Sequence, residues 1–476
     1  MEIRKIRFVE PGNLPYRRTV KNAFTYDEYL RNPSIGMLTL ATWVHERYAD
    51  TFMYSESISE VKWEDVLDAD VVFLGIFTFN ADRGYELAEK IRRESKAMVV
   101  MGGLHATLSV VEAAVHCDYV LMGDADDSIL TFLEAAEKDE PDTVAGLAYY
   151  REGLLRQNQK AEPPLDIDII PDRNLLYRYN KMASHNTLWA QVHASRGCPH
   201  NCDYCAVVQH FGRKVRTRTP SNIVEDIKQS IAFHERGFFP RVSKVLWLTD
   251  DNFFADREWA KAVLNKIIES GIKYNFTVQA RHELGFDDEM LDLLKKAGFF
   301  EVAIGIEFVD DRSFEKYHKR CTVKEMEAAI ANIQKHGLSV RGLFIVGTED
   351  HEKGVGRQVT DFVLRNNIKG VLIQSMYFVP GTVAYENHKD KLIYDNWKKC
   401  NGSVVHNPVN MTPAELQEEI IDAIESIYSV PRLILGIIRE PKIYKVLMFG
   451  EFMWQRSVRR RLIGELPELR ELGRKK

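Results

Sequence analysis

The sequence predicts two α/β domains followed by a helical region. Apolar, strand-length runs alternate with helix patterns over residues 1–150 and again over 186–385, and residues 386–476 read as helix. A proline-bearing connector, 151–185, separates the two stretches. With 476 residues the chain is too long for one ordinary core.

Composition narrows the class. Hydrophobic residues make up 45% and charged residues 28%, which excludes disorder and collagen as the main architecture. A net charge of -5 calls for no nucleic-acid partner. Six cysteines in so long a chain are no disulfide framework. The start, MEIRKIRFVEPG, has no signal-peptide core, and no apolar run reaches the roughly 18 residues of a membrane span. A reduced, cytoplasmic setting is expected. From Met453 onward eight basic residues face three glutamates, behind the apolar VPRLILGI (430–437). Such an end suits either a helical cap with a solvated basic face or peripheral membrane contact.

In the first domain KIRFVE (5–10) reads as a strand that opens into a Pro/Gly loop. Ser34 can cap a helix over 35–47, and DTFMYS (50–55) is a second strand. DADVVFLGIF (68–77), AMVVMGG (97–103) and DYVLMG (118–123) are further strands, each followed by a helix pattern, so a parallel sheet covered on both faces is expected. Gly102 and Gly103, then His105, follow one strand; Gly123, then Asp124, Asp126 and Asp127, follow the next. Ligands of open α/β sheets bind beyond such strand ends, and glycine admits a bulky ligand to the backbone. No G-x-G-x-x-G occurs, which disfavours a nicotinamide cofactor.

AGLAYYREGLL (145–155) resembles a hairpin, and Pro163, Pro164 and Pro171 stiffen the connector. The next strand, WAQVHAS (189–195), runs into RGCPHNCDYC, which spaces Cys198, Cys202 and Cys205 as C-x3-C-x2-C. Three thiolates on one loop can hold three irons of a cubane cluster and leave the fourth iron open. A Cys3His zinc site using His200 or His210 is the alternative. Arg213, Arg216 and Arg218 follow and either attract an anionic group or are solvated.

Cys198, Cys202 and Cys205, with Tyr204 before the last, resemble the signature of the radical S-adenosylmethionine (SAM) enzymes. The resemblance implies a [4Fe-4S] cluster whose open iron takes SAM, a 5′-deoxyadenosyl radical that removes hydrogen from an unactivated carbon, and an electron donor such as flavodoxin or ferredoxin. It extends over a partial (β/α)6 barrel of the TIM type. Asp250 and Asp251 after the second strand resemble the segment near the SAM amino group. Gln279 and Arg281 end the third strand, Glu307 closes a G-x-E element, and Gly347 resembles the late glycine near the adenine.

The first domain then resembles the Rossmann-like cobalamin-binding domain of one radical SAM branch, on Gly102, Gly103, His105 and Gly123. That branch contains C-methyltransferases, the anaerobic bacteriochlorophyll cyclase and hopanoid- and tetraether-lipid modifying enzymes. Its D-x-H-x-x-G motif is missing: EPGNLPYRR stands after the first strand, with no histidine. Cobalamin therefore binds without a histidine ligand, or the domain has lost it. The resemblance implies cobalamin-dependent C-methylation of a lipid-like or natural-product small molecule, with a cyclase, mutase or carbon–carbon coupling enzyme as the alternative. The tail is expected over the barrel mouth or its side.

Overall fold

The computed structural model describes residues 2–12, 33–179, 189–234, 244–439 and 442–472. The loop after the first strand, the end of the connector and the last basic residues fall outside them.

The first domain is a seven-stranded sheet in the order β2-β1-β3-β4-β5-β6-β7. β1 (Lys5–Glu10), β2 (Asp50–Ser55), β3 (Val71–Gly75), β4 (Met98–Gly102) and β5 (Tyr119–Leu121) run parallel. Each β3 or β4 run is apolar without alternation because helices bury both faces. Helices Ile35–His45 and Ser128–Lys138 cover one face, and Ala81–Glu94 and Val110–His116 the other. Ser34 caps the first of these by accepting from the Met37 N–H at 3.3 Å. β6 (Leu147–Arg151) and β7 (Leu154–Gln157) form the expected hairpin and add antiparallel strands to this sheet, which runs on to Gln157. Glu152 and Gly153 both have positive φ (53° and 77°), the two-residue turn that matches strand twist.

The second domain holds six parallel strands in sequence order: β8 (Ala190–Val192), β11 (Val245–Leu248), β12 (Asn275–Ala280), β13 (Phe299–Glu307), β14 (Ser339–Val346) and β15 (Gly370–Ser375). Between β8 and β11 lie the two-residue strands β9 (Ser195–Arg196) and β10 (Arg216–Thr217). The outer helices begin where the sequence caps them: Asp256 accepts from Trp259, and Thr322 and Glu325 form a capping box. Parallel strands put all their carboxyl ends at one mouth, so the residues after β8, β11, β12, β13 and β14 meet there.

The tail covers more than the expected mouth or side. Helix Lys442–Leu472 begins at the opposite end of the barrel, and its later part follows the side, where the Leu462 carbonyl accepts from Gln417 of helix Pro413–Ile427. Tyr444 donates to the Phe300 carbonyl near the start of β13, Gln455 to the Val371 carbonyl near the start of β15, and Glu451 pairs with the half-buried Arg341 of β14 at 3.0 Å. The barrel bottom needs this cover because Glu301 is a buried charge and Arg341 beside it a half-buried one. Residues near 397–406 instead reach the mouth side, where Trp397 joins the first domain through Asp82 and Glu112 (2.7 and 2.8 Å).

Candidate active site

The cysteine loop springs from a backbone ribbon. β9 pairs antiparallel with β10. Gly197 has φ 92°, and a Cβ there would lie 2.5 Å from the Lys214 carbonyl, so only glycine passes. Asp250 anchors the ribbon, accepting from the Ala194 N–H at 3.2 Å, the Ser195 hydroxyl at 2.6 Å and the Ser195 N–H. Its side chain is buried and spent on backbone, and burial lifts its pKa to about 7. Asp250 is thus a support for the loop.

Cys198, Cys202 and Cys205 are all half-buried. Burial pushes the Cys198 thiol up, and Cys205 to about 12. Such thiols ionise only beside strong positive charge, which a metal cluster supplies. Arg281 donates to the Cys202 sulfur at 3.8 Å. Asp251 faces the same pocket: burial raises it to about 6, and its Oδ2 has no partner among the described residues. Among those residues no three Cys, His, Asp or Glu side chains converge on a single ion. A cubane asks for something different, one thiolate per iron with the sulfurs set apart.

Glu307 ends β13 at a bulge, with φ 66°. A non-glycine residue there stores strain of order 1–3 kcal/mol. Gly305 makes room for it, since a Cβ at 305 would sit 2.5 Å from the Glu307 Oε1. Burial raises the Glu307 pKa against the pull of Lys319, whose Nζ lies 3.6 Å away and also donates to the Gly305 carbonyl. Tyr204 packs edge-on to Phe308 at 6.1 Å, beside this carboxylate. Gln279 pairs in register with Ala303 and is half-exposed, while Arg281 also pairs with Glu283 at 3.0 Å.

Other expected site residues have different surroundings. Gly347 has φ 89°, and a Cβ would strike Leu416 of the tail at 2.5 Å; its carbonyl accepts from His406 Nε2 at 2.8 Å. Its need for glycine comes from that left-handed backbone and from the tail pressed against it. Gly103 has φ 91°, and a Cβ would meet the Ile76 carbonyl at 2.8 Å. Gly102 sits 3.4 Å, by the same test, from the Leu121 carbonyl. His105 is fully buried, with ring nitrogens on Thr78 (3.2 Å) and Tyr85 (3.1 Å) and Trp397 against its edge. Gly123, φ 80°, faces open space, with nothing within 4 Å of its missing Cβ.

Sequence reasoning missed the contact that ties the two domains at the cluster loop. Arg196, two residues before Cys198, reaches Asp124 at 2.5 Å and Asp126 at 2.6 Å, and Arg216 reaches Asp124 at 2.6 Å. All four side chains are buried. Burial works against the Asp124 carboxylate, but Arg196 and Arg216 outweigh it and hold its pKa low. Arg218 is likewise buried, on Asp226 at 2.7 Å. Of the three arginines expected to face solvent or an anion, only Arg213 is exposed. The available signal was local: Arg216 and Arg218 alternate on one strand face, and strand faces at a domain junction are buried.

Two buried histidines away from the loop carry a pH prediction. Burial lowers His234 and His406 to about 4 from an ordinary 6.5. Between those values the unfolded chain binds more protons, so stability rises with pH there. Thermal melting should drop as pH falls from 6.5 through 4; a flat profile would contradict this burial.

Residues 192–353 match the Radical SAM superfamily profile.

The chain carries a radical SAM domain.

It is accordingly an enzyme, and the radical SAM domain includes all three loop cysteines. Over 398 residues the chain is 21% identical to the bacteriochlorophyllide d C-12(1)-methyltransferase of Chlorobaculum tepidum, covering 83% of this chain and 82% of that one. It is 26% identical to the anaerobic magnesium-protoporphyrin IX monomethyl ester cyclase of Rubrivivax gelatinosus, covering 57% of this chain and 49% of that one. The cobalamin-dependent SAM radical enzyme OxsB, solved with aqua-cobalamin and SAM bound, shares the fold at TM-score 0.71 and 12% identity, covering 97% of this chain and 72% of that one.

Proposed function

We propose that this radical SAM enzyme methylates an unactivated carbon of a small molecule, and that it does so with cobalamin. The observation that carries the reading is the paired arrangement of a 2-1-3-4-5 sheet domain and a cysteine loop locked to it through Asp124 and Arg196. A methyltransferase relative aligned over most of both chains supports methyl transfer; the cyclase relative covers less and supports the alternative less. When bound, the cluster and SAM supply a hydrogen-abstracting 5′-deoxyadenosyl radical, and cobalamin supplies the methyl group.

The chain's own residues then hold and orient. Cys198, Cys202 and Cys205 each give one thiolate to iron. Asp251, with its free Oδ2, and Glu307, held by Lys319, offer carboxylates at the mouth for the cationic end of SAM. Arg281 tempers the negative charge gathered at Cys202. Gly123 leaves room on the first domain for a bulky planar ligand. The fit for cobalamin includes no histidine ligand from His105, whose nitrogens are engaged. A small-molecule substrate and a reductant of the flavodoxin or ferredoxin type complete the reaction.

The test is anaerobic purification with hydroxocobalamin supplied, metal analysis, and assay of SAM products under reductant. Stoichiometric cobalt beside iron, with S-adenosylhomocysteine formed, is expected. Iron and 5′-deoxyadenosine without cobalt would overturn methyl transfer in favour of cyclisation, rearrangement or coupling.

A further inference from the structure

We infer that the helical hairpin around residues 430–460 anchors the chain to an anionic lipid surface. Helix Val430–Arg439 leaves Val430, Ile434, Leu435, Ile437 and Ile438 exposed, Ile438 by 70%. Positions 430, 434, 437 and 438 fall on one helical face. The other flank is taken, because Gly436 lies against Met448 of the following helix. That helix adds exposed Phe449. A continuous apolar patch of this kind on a water-facing helix marks an interaction surface.

Charge says what covers it. Residues 430–461 carry eight Lys and Arg against two Glu, in a chain of net charge -5. Some of the cations are used internally: Arg459 pairs with Glu425, and Arg461 with Asn401 and Glu465. Lys445, Arg456 and Arg460 have no carboxylate partner among the described residues, whereas Arg432 is turned inward with a buried Nη1. Unpaired cations flanking an apolar helical face match a surface with acyl chains beneath anionic headgroups. A second copy on a twofold axis would set this positive patch against itself, which disfavours self-association. Among the described residues no helix is long and apolar enough to cross a membrane, so the hairpin lies on the surface.

The placement has a consequence. Tyr428, just before the hairpin, accepts from the Val371 N–H at 2.8 Å near the start of β15, and Tyr444 reaches the start of β13. The hairpin therefore sits at the barrel end opposite the cysteine loop. Docked this way, the mouth points away from the bilayer and takes its substrate from the aqueous side. The inference is independent of the reaction, since vesicle binding is measured without turnover.

The test is co-sedimentation of the full chain with phosphatidylcholine vesicles containing phosphatidylglycerol, and with phosphatidylcholine alone. The chain should bind the anionic vesicles and be released by high salt. Ile434→Ser/Ile438→Ser should lose binding, and Arg456→Gln/Arg460→Gln should weaken it by roughly tenfold or more. Both variants should keep the melting profile and iron content of the parent; if the serine variant misfolds, the arginine variant and the salt titration carry the test. No binding to anionic vesicles, or binding indifferent to salt and to both variants, would overturn the anchor. So would a concentration-dependent dimer abolished by the serine variant, or equal affinity for soluble polyglutamate, which would assign the face to a second copy or to an acidic protein.

Discussion

Cys202→Ala is expected to give a folded chain that assembles no intact cluster and forms no 5′-deoxyadenosine. Cys202 is half-buried on a loop, and its side chain meets Arg281 at 3.8 Å and the Tyr204 hydroxyl. Losing it costs the fold little, since substitutions away from the core usually change stability by only about 0.5 kcal/mol. The chemistry has no such reserve. A cubane held by three protein thiolates loses an iron with the first of them, and no free His, Cys, Asp or Glu group among the described residues forms a second metal site. Anaerobic reconstitution, iron and sulfide analysis and chromatography of SAM products read the outcome. A Cys202→Ala chain with full iron and undiminished 5′-deoxyadenosine would overturn the assignment of the loop.

Asp124→Ala should be nearly as damaging through a different route. The substitution leaves Arg216 with no carboxylate and Arg196 with one, both buried where desolvation of an uncompensated guanidinium costs about 3–5 kcal/mol. Because Arg196 and Arg216 pair across β9 and β10, the strain falls on the ribbon that carries Gly197 and Cys198. The expected result is a lower melting temperature, faster proteolysis within the cysteine loop and less iron retained. Asp124→Asn, which keeps one acceptor oxygen but sets an NH2 donor against the other arginine and drops the charge, should fall between the parent and Asp124→Ala. A parent-like melt and full iron in Asp124→Ala would show that the domain junction does not support the loop.

These two residues also mark how far the sequence could be read. The cysteine triplet was legible because cluster ligands must share one short loop, so the chemistry is written in local spacing. The strands and helices were legible for a similar reason: Ser34 caps the helix it precedes, and apolar runs such as Val71–Gly75 are strands wherever helices cover both faces. The positions of Asp250, Asp251 and Glu307 at the mouth followed from parallel strands ending on one side.

What each residue does there was harder to see. Asp250 looked like a cofactor contact and is spent on Ser195; Gly347 looked like a cradle and makes way for Leu416. Arg216 looked like a solvated or anion-seeking cation and is buried on Asp124, 92 positions away in the chain. The two β/α domains and the cysteine loop can be read along the chain, because they depend on neighbours within a few residues. Which charges are paired, which glycines are crowded and which parts of the barrel the tail covers emerge on folding. Those outcomes depend on desolvation and close packing between segments distant in the chain, and local periodicity carries no record of them.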